Sequence, residues 1–256
     1  MIGLGSRRRP GLGGGLGGGL RSNAMAGFSS GSRVVTARET ADSVISALTP
    51  AAWYRNATGV TEAGGFASQW DDYSGNARHL VQATGTNQPA YNSTGGVFTF
   101  DGADNFMKVT GGFTLNQAWT LVIVGSQKAW TNIDMLCDGN AINTGQIRQD
   151  TTTPALTITT NGTTVASNTN LALNTRGILC AVFNGASSSL RVNDTAKTTG
   201  NAGAGNAGGF TLGCGGNGLQ GWANMTAEEV FIIPSALSDA NQDAVITALN
   251  NALTVF

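Results

Sequence analysis

From residue 53 onward the chain reads as short apolar or alternating stretches cut by Asn, Asp, Gly and Ser. Residues 66–70, 79–82, 97–100 and 106–109 have strand length and strand composition. Phe98 and Phe100 alternate with Val97 and Thr99, and Asp101-Gly102 follows at once, so a hairpin is expected between 97–100 and 106–109. Trp119-Thr120-Leu121-Val122-Ile123-Val124 is the strongest strand, apolar enough for the centre of a sheet. Further strands are expected at 133–137, 146–149, 155–160, 178–183, 189–192, 210–212 and 229–233, with turns at Asn161-Gly162 and Asn184-Gly185. Strands at this spacing with no long helix between them predict two packed antiparallel sheets.

Two stretches follow the helical period instead. Residues 36–48 place Val44, Ile45 and Leu48 on one side and stop at Thr49-Pro50. After Pro234, Ser238 is positioned to cap a helix whose Val245, Leu249 and Leu253 share a face, with Leu237 as a hydrophobic staple. The predicted class is all-β: an antiparallel β-sandwich, or jelly roll, with a short helix before it and a C-terminal helix.

Residues 1–31 carry neither pattern. They run Arg7-Arg8-Arg9-Pro10 and then glycines interrupted by Leu12, Leu16 and Leu20. Each glycine costs about 1 kcal/mol relative to alanine in a helix, so an isolated helix is excluded. The twin arginines and Ala24-Met25-Ala26 imitate an export signal, but the run between them is mostly glycine, and an anchoring arm is expected instead. The expected organisation is an arm over 1–31, a short helix and linker over 32–50, and the jelly roll over 51–256. No apolar stretch is long enough to span a membrane.

Composition sharpens this picture. Charged residues are 11% of the chain, against about 25% in an ordinary soluble domain. Residues 1–38 hold six arginines and no acid; residues 39–256 hold eight basic and fifteen acidic side chains. A basic arm on an acidic body is expected to dock on an acidic surface of another protein or a neighbouring copy, through Arg7, Arg8, Arg9, Leu12, Leu16 and Leu20. Low charge density favours a homo-oligomer. Nucleic acid is disfavoured, because the basic run is short and lacks an aromatic neighbour. Cys137, Cys180 and Cys214 are odd in number and far apart, which predicts buried reduced thiols rather than a disulfide framework or a zinc site.

Candidate chemistry is sparse. His79 is the only histidine, and no G-x-S-x-G accompanies it, so serine or cysteine catalysis has no support. Asp71, Asp72, Asp101 and Asp104 read as turn-fixing residues, with calcium as the competing reading. Asp134, Asp138 and Asn140 form a second oxygen-rich group open to the same two readings. Trp53, Trp70 and Trp119 sit in apolar strands and belong to the core. Trp130, Asn132 and Trp222 sit near loops among amide side chains, the chemistry of a carbohydrate site.

Three segments in order carry a resemblance. They are Trp70-Asp71-Asp72-Tyr73-Ser74-Gly75-Asn76, then Phe100-Asp101-Gly102-Ala103-Asp104, then Ala227-Glu228 leading through an apolar strand to Leu237-Ser238-Asp239. Together they resemble the laminin-G-like, concanavalin-A-like jelly rolls of bacteria and their phages, over about residues 51–253. The resemblance implies two antiparallel sheets packed face to face and a recognition or structural module. Glycosidases of this fold often carry E-x-D-x-x-E or E-x-D-x-E on one strand. The four glutamates here, Glu39, Glu62, Glu228 and Glu229, do not fit that spacing. The expectation is therefore a non-enzymatic bacteriophage virion protein, a head decoration, fibre or tail component. It would be made in the host cytoplasm, anchored by its arm to other virion proteins, and would touch host-surface glycans without a cofactor other than calcium. The alternatives are a secreted bacterial carbohydrate-binding module and a glycan-active enzyme.

Overall fold

The computed structural model describes residues 34–109, 113–161 and 163–256. The expected arm residues, Arg7 to Leu20, lie outside them. Among the described residues seventeen strands pair with one another antiparallel, and the pairings follow two runs. The first run takes Thr198–Gly200, Ser188–Val192, Gly177–Phe183, Trp119–Gln127 and Asn224–Ile233 in that order. Beyond it, Ala52–Tyr54 pairs with the C-terminal half of Asn224–Ile233, and Val97–Asp101 with its N-terminal half. The second run takes Val60–Ala63, Phe66–Trp70, Leu80–Val81, Met107–Val109, Thr211–Leu212, Met135–Asp138, Gln146–Gln149, Leu156–Thr160 and Thr163–Thr164. Ala90–Asn92 joins the two, pairing with Val97–Asp101 and, through Ala90, with Phe66.

Apolar side chains fill the space between the runs. Leu121, Ile123, Leu179, Phe98 and Phe100 from the first meet Leu80, Met107, Ile147, Ile158 and Leu212 from the second. This is the sandwich predicted from the sequence. A second core lies on the other face of the first run, where Val122, Val124, Ile178, Cys180, Phe231 and Ile233 pack against two helices. These are α1 (Ala37–Ala47), supplying Ile45, and α2 (Asp239–Leu253), supplying Val245, Ile246 and Leu249. Both faces of Trp119–Gln127 are thus covered, and all nine of its positions are buried. That explains why its sequence reads as a continuous apolar run rather than an alternation.

The helix ends follow the sequence. Thr36 and Glu39 form a capping box on α1, and Ser238 Oγ accepts the Asn241 N–H at the start of α2. One expectation fails. Val97–Asp101 and Met107–Val109 are both strands, but they do not pair with each other and belong to different runs. Asp101 Oδ1 accepts the Ala103 N–H at 2.8 Å, and Asn105 Oδ1 accepts the Asp101 N–H at 3.3 Å. With Gly102 at φ +78°, these bonds turn the chain from one layer to the other.

The strand Asn224–Ile233 carries the fold's main irregularity. Ala227 pairs with Gly125 and Glu229 with Val124, so Glu228 is an extra residue in a bulge. Met225 and Ala227 face the inner core, while Phe231 and Ile233 face the helices. The bulge makes this change of parity and turns both glutamates toward the helical layer. Glu229, fully buried, accepts from Arg38 Nη1 at 2.5 Å and from the Trp53 indole N–H at 2.9 Å. Arg38 and Arg55 both reach Asp42 on α1. Glu228 pairs with Arg176, whose Nη1 also donates to the carbonyls of Leu253 and Thr254 at the end of α2.

Two outcomes follow from this architecture. Truncation by Glu229→Ala strands the Arg38 charge and the Trp53 indole, and is expected to cost about 3–5 kcal/mol in urea unfolding. The three cysteines are free and buried, and burial pushes their thiols up, Cys180 and Cys214 to about 12. Iodoacetamide at about pH 8 should therefore leave the folded protein unlabelled and modify all three only in urea, as counted by mass spectrometry.

Candidate functional site

The Trp70–Asn76 segment builds a corner. The Trp70 ring stacks on Phe98 at 4.1 Å and its indole donates to the Arg55 carbonyl. Asp72 is buried. Its Oδ1 accepts the N–H groups of Trp53 and Ser74, both at 2.9 Å, and its Oδ2 accepts that of Arg78 at 3.0 Å. Asn76 Nδ2 donates to the carbonyls of Pro50 and Ala51. The Asp72 N–H in turn donates to His79 Nδ1 at 3.1 Å, so the lone histidine braces the same turn. Asp101 and Asp72 therefore act as the turn reading expects, their oxygens engaged by backbone donors. Among the described residues no group of three or more His, Cys, Asp or Glu is placed to hold a metal ion.

A groove of about 590 Å³ opens beside this corner. Its lining includes Trp53, Tyr73, Asn76, Arg78, Thr49 and Pro50. Tyr73 meets Trp53 edge-on at 5.0 Å and remains 52% exposed. The Arg78 guanidinium lies 4.3 Å from the centre of the Phe113 ring and donates through Nη1 to the Ala51 carbonyl at 2.8 Å.

A second locus sits at the end of the central strand pair where Trp119–Gln127 finishes and Asn224–Ile233 begins. Two loops are laced together there. The N–H groups of Lys128 and Ala129 donate to the Asn224 carbonyl, and that of Met135 donates to the Gly221 carbonyl at 2.8 Å. Met135 and Trp222 form a parallel bridge. The structure thus brings the Trp130 loop and the Trp222 segment together, with Asn132 exposed on the first. Both indole nitrogens are shielded from solvent and have no hydrogen-bond partner. A buried donor in that state carries an uncompensated desolvation cost.

Features around this rim were not legible in the sequence. Ile133 is half exposed and sits at φ +75°, a left-handed conformation strained for a β-branched residue. Ile142 and Leu219 are also exposed, and the loops that carry them approach each other where Gly216 lies against the backbone of Ala141 and Ile142. Asp134 lies on the Trp130 loop, where its N–H donates to the Thr131 carbonyl, and burial pushes its carboxyl up, opposed by a hydrogen bond from the Thr131 side chain.

Asp138 has a different role. It is fully buried and accepts from the N–H groups of Gly139, Asn143, Thr144 and Gly216 and from Gln146 Nε2. Burial raises its carboxyl, and these donors oppose the rise. It ties the 139–146 loop to the 213–216 segment and leaves no oxygen free for a ligand.

No protein-family model and no curated protein matches the sequence. Solved structures share the fold. A mutant of Trypanosoma rangeli sialidase displaying trans-sialidase activity matches over 81% of this chain and 34% of its own, at 12% identity and TM-score 0.57. The T. rangeli sialidase itself matches over 78% and 32%, at 12% identity and TM-score 0.55. An arabinofuranosidase complexed with arabinofuranosyl-α-1,2-xylobiose matches over 80% and 59%, at 14% identity and TM-score 0.57. The chain therefore spans well under two thirds of each of these proteins. At such identities the likeness shows the fold, an antiparallel β-sandwich. It also overturns two expectations. The bacteriophage structural role, and with it the absence of enzymatic activity, rested on the resemblance, the arm and the missing catalytic signature. The solved structures named above that share this sandwich are sialidases and an arabinofuranosidase, not virion proteins.

Proposed function

We propose that this chain is a glycan-recognising β-sandwich of the laminin-G-like, concanavalin-A-like type, with its binding site at the rim formed by Trp130, Asn132 and Trp222. One observation carries the reading: the two tryptophan-bearing loops are laced to each other, with Asn132 and Ile133 exposed on the first. A pyranose or furanose offers what such a rim lacks. Its C–H faces cover aromatic and aliphatic surface, and its hydroxyls pair with exposed amide groups. The Asn132 amide adds a neutral donor and acceptor. The glycosidase neighbours support the same ligand class.

A second reading, glycoside hydrolysis, is favoured by Asp134. Hydrolysis needs a carboxyl that donates its proton to the leaving oxygen, and burial pushes the Asp134 carboxyl up from its ordinary value.

Glycan-array screening followed by calorimetry tests the first reading. Trp130→Ala and Trp222→Ala are each expected to weaken the selected glycan about tenfold or more, the loss of roughly 1.4 kcal/mol or more of contact. Unchanged affinity in both variants removes the site. Incubating the same glycans with the protein and assaying reducing ends tests the second. Turnover that Asp134→Asn abolishes, with binding retained, assigns hydrolysis; no turnover on any bound glycan leaves recognition alone.

A further inference from the structure

We propose that the groove beside the Trp70–Asn76 corner is a second binding site, built for the carboxylate-bearing end of an acidic saccharide. It is independent of the Trp130–Trp222 rim. Arg78 is the only charged side chain in the groove's lining. That is unusual on a body where residues 39–256 carry fifteen acids against eight bases.

The guanidinium is held ready rather than free to wander. It lies against the Phe113 ring at 4.3 Å, and Nη1 is fixed to the Ala51 carbonyl. Among the described residues Arg78 forms no ion pair, and Nη1 is its one guanidinium nitrogen with an acceptor. The buried carboxylate of the corner, Asp72, spends its oxygens on the N–H groups of Trp53, Ser74 and Arg78. The remaining Nε and Nη2 donors share one edge. That edge is the planar fork that binds a carboxylate through two parallel hydrogen bonds.

The rest of the lining selects a sugar acid over a simple anion. Tyr73 offers a half-exposed ring, braced by the Trp53 edge and by Arg55, whose guanidinium lies 5.2 Å from its centre. The hydroxyls of Ser46 and Thr114 add neutral hydrogen-bonding groups. A carboxylate on the Arg78 fork, a sugar face against Tyr73 and ring hydroxyls toward Ser46 and Thr114 use all three kinds of group at once.

Calorimetric titration of the full chain with galacturonate and mannuronate trimers tests this, with a neutral xylose trimer and an Asp-rich peptide as comparisons. At least one uronate trimer is expected to bind, the neutral trimer at least about tenfold more weakly. Binding should weaken as salt rises to about 0.5 M. Arg78→Lys keeps the charge but loses the fork, and should reduce uronate affinity about tenfold or more. Because Arg78 also supports the Ala51 carbonyl, Tyr73→Ala serves as the second variant, its ring being half exposed. It should weaken uronate binding with the melting temperature unchanged. Trp130→Ala combined with Trp222→Ala should leave uronate affinity intact, which separates this site from the rim. Absence of uronate binding, equal binding of the neutral trimer, tighter binding of the acidic peptide, or full affinity in both Arg78→Lys and Tyr73→Ala would each overturn the proposal.

Discussion

One extra residue in the strand Asn224–Ile233 governs how the layers fit together. With a strict two-residue period, Ala227 facing the inner core would bring Glu229 inward as well. The bulge at Glu228 reverses the parity, so that two consecutive carboxylates leave the sheet on the helical side. Buried carboxylates carry a desolvation cost of several kcal/mol unless they are paired. The partners are fixed: Arg38 on α1 for Glu229, and Arg176 for Glu228. Helix α1 is thereby seated at one carboxylate. The end of α2 is seated at the other, because Arg176 bonds its last carbonyls as well. The same constraint continues to the corner. Glu229 holds the Trp53 indole, the Trp53 N–H is held by Asp72, and Asp72 holds the Arg78 N–H. The groove is therefore aligned by a bond chain that begins at the bulge.

This chain of constraint also explains which parts of the fold the sequence could reveal. The strand Trp119–Gln127 was legible as central because both of its faces are covered, and the apolar stripes of Val44, Ile45 and Leu48 and of Val245 and Leu249 announced the helices that cover it. The bulge was not legible. Val230 to Ile233 are buried on both faces, so alternation, the signal that would have exposed a change of parity, is erased there. The Asp101-Gly102 turn misled for a different reason. Local turn chemistry says that a chain reverses, but not whether it returns to its neighbour or crosses to the opposite layer. Phe98 and Phe100 point into the inner core in either case.

The proposed rim was legible in composition and not in geometry. Trp130 and Trp222 stand out as tryptophans among amides. Their juxtaposition depends on the pairing of Trp119–Gln127 with Asn224–Ile233, two strands far apart in the sequence. The left-handed Ile133 had no signal at all, since a β-branched residue is the last expected at positive φ. Asp138 shows the opposite case. It looked chemical because it lies near Asp134 and Asn140, but five donors consume it. Two aspartates on one short stretch thus separate by environment: one knits loops, the other is half buried beside the rim.

The helical layer finally decides where ligands can reach. It closes the outer face of the first run, and the second run closes its inner face, so no open surface remains on the central strands. Access falls to the loops at their ends. The Trp130–Trp222 rim adjoins residue 224, and the groove reaches Pro234, immediately after residue 233. At about 3.4 Å per residue the two loci are separated by roughly 30 Å along one strand. A single sugar ring cannot touch both. The two sites share no lining residue, and what links them is the bulged strand itself. As proposed, an aromatic rim at one end and a cationic fork at the other favour different features of a ligand, so that a mixed neutral and acidic glycan would offer each end of the sandwich a separate feature to bind.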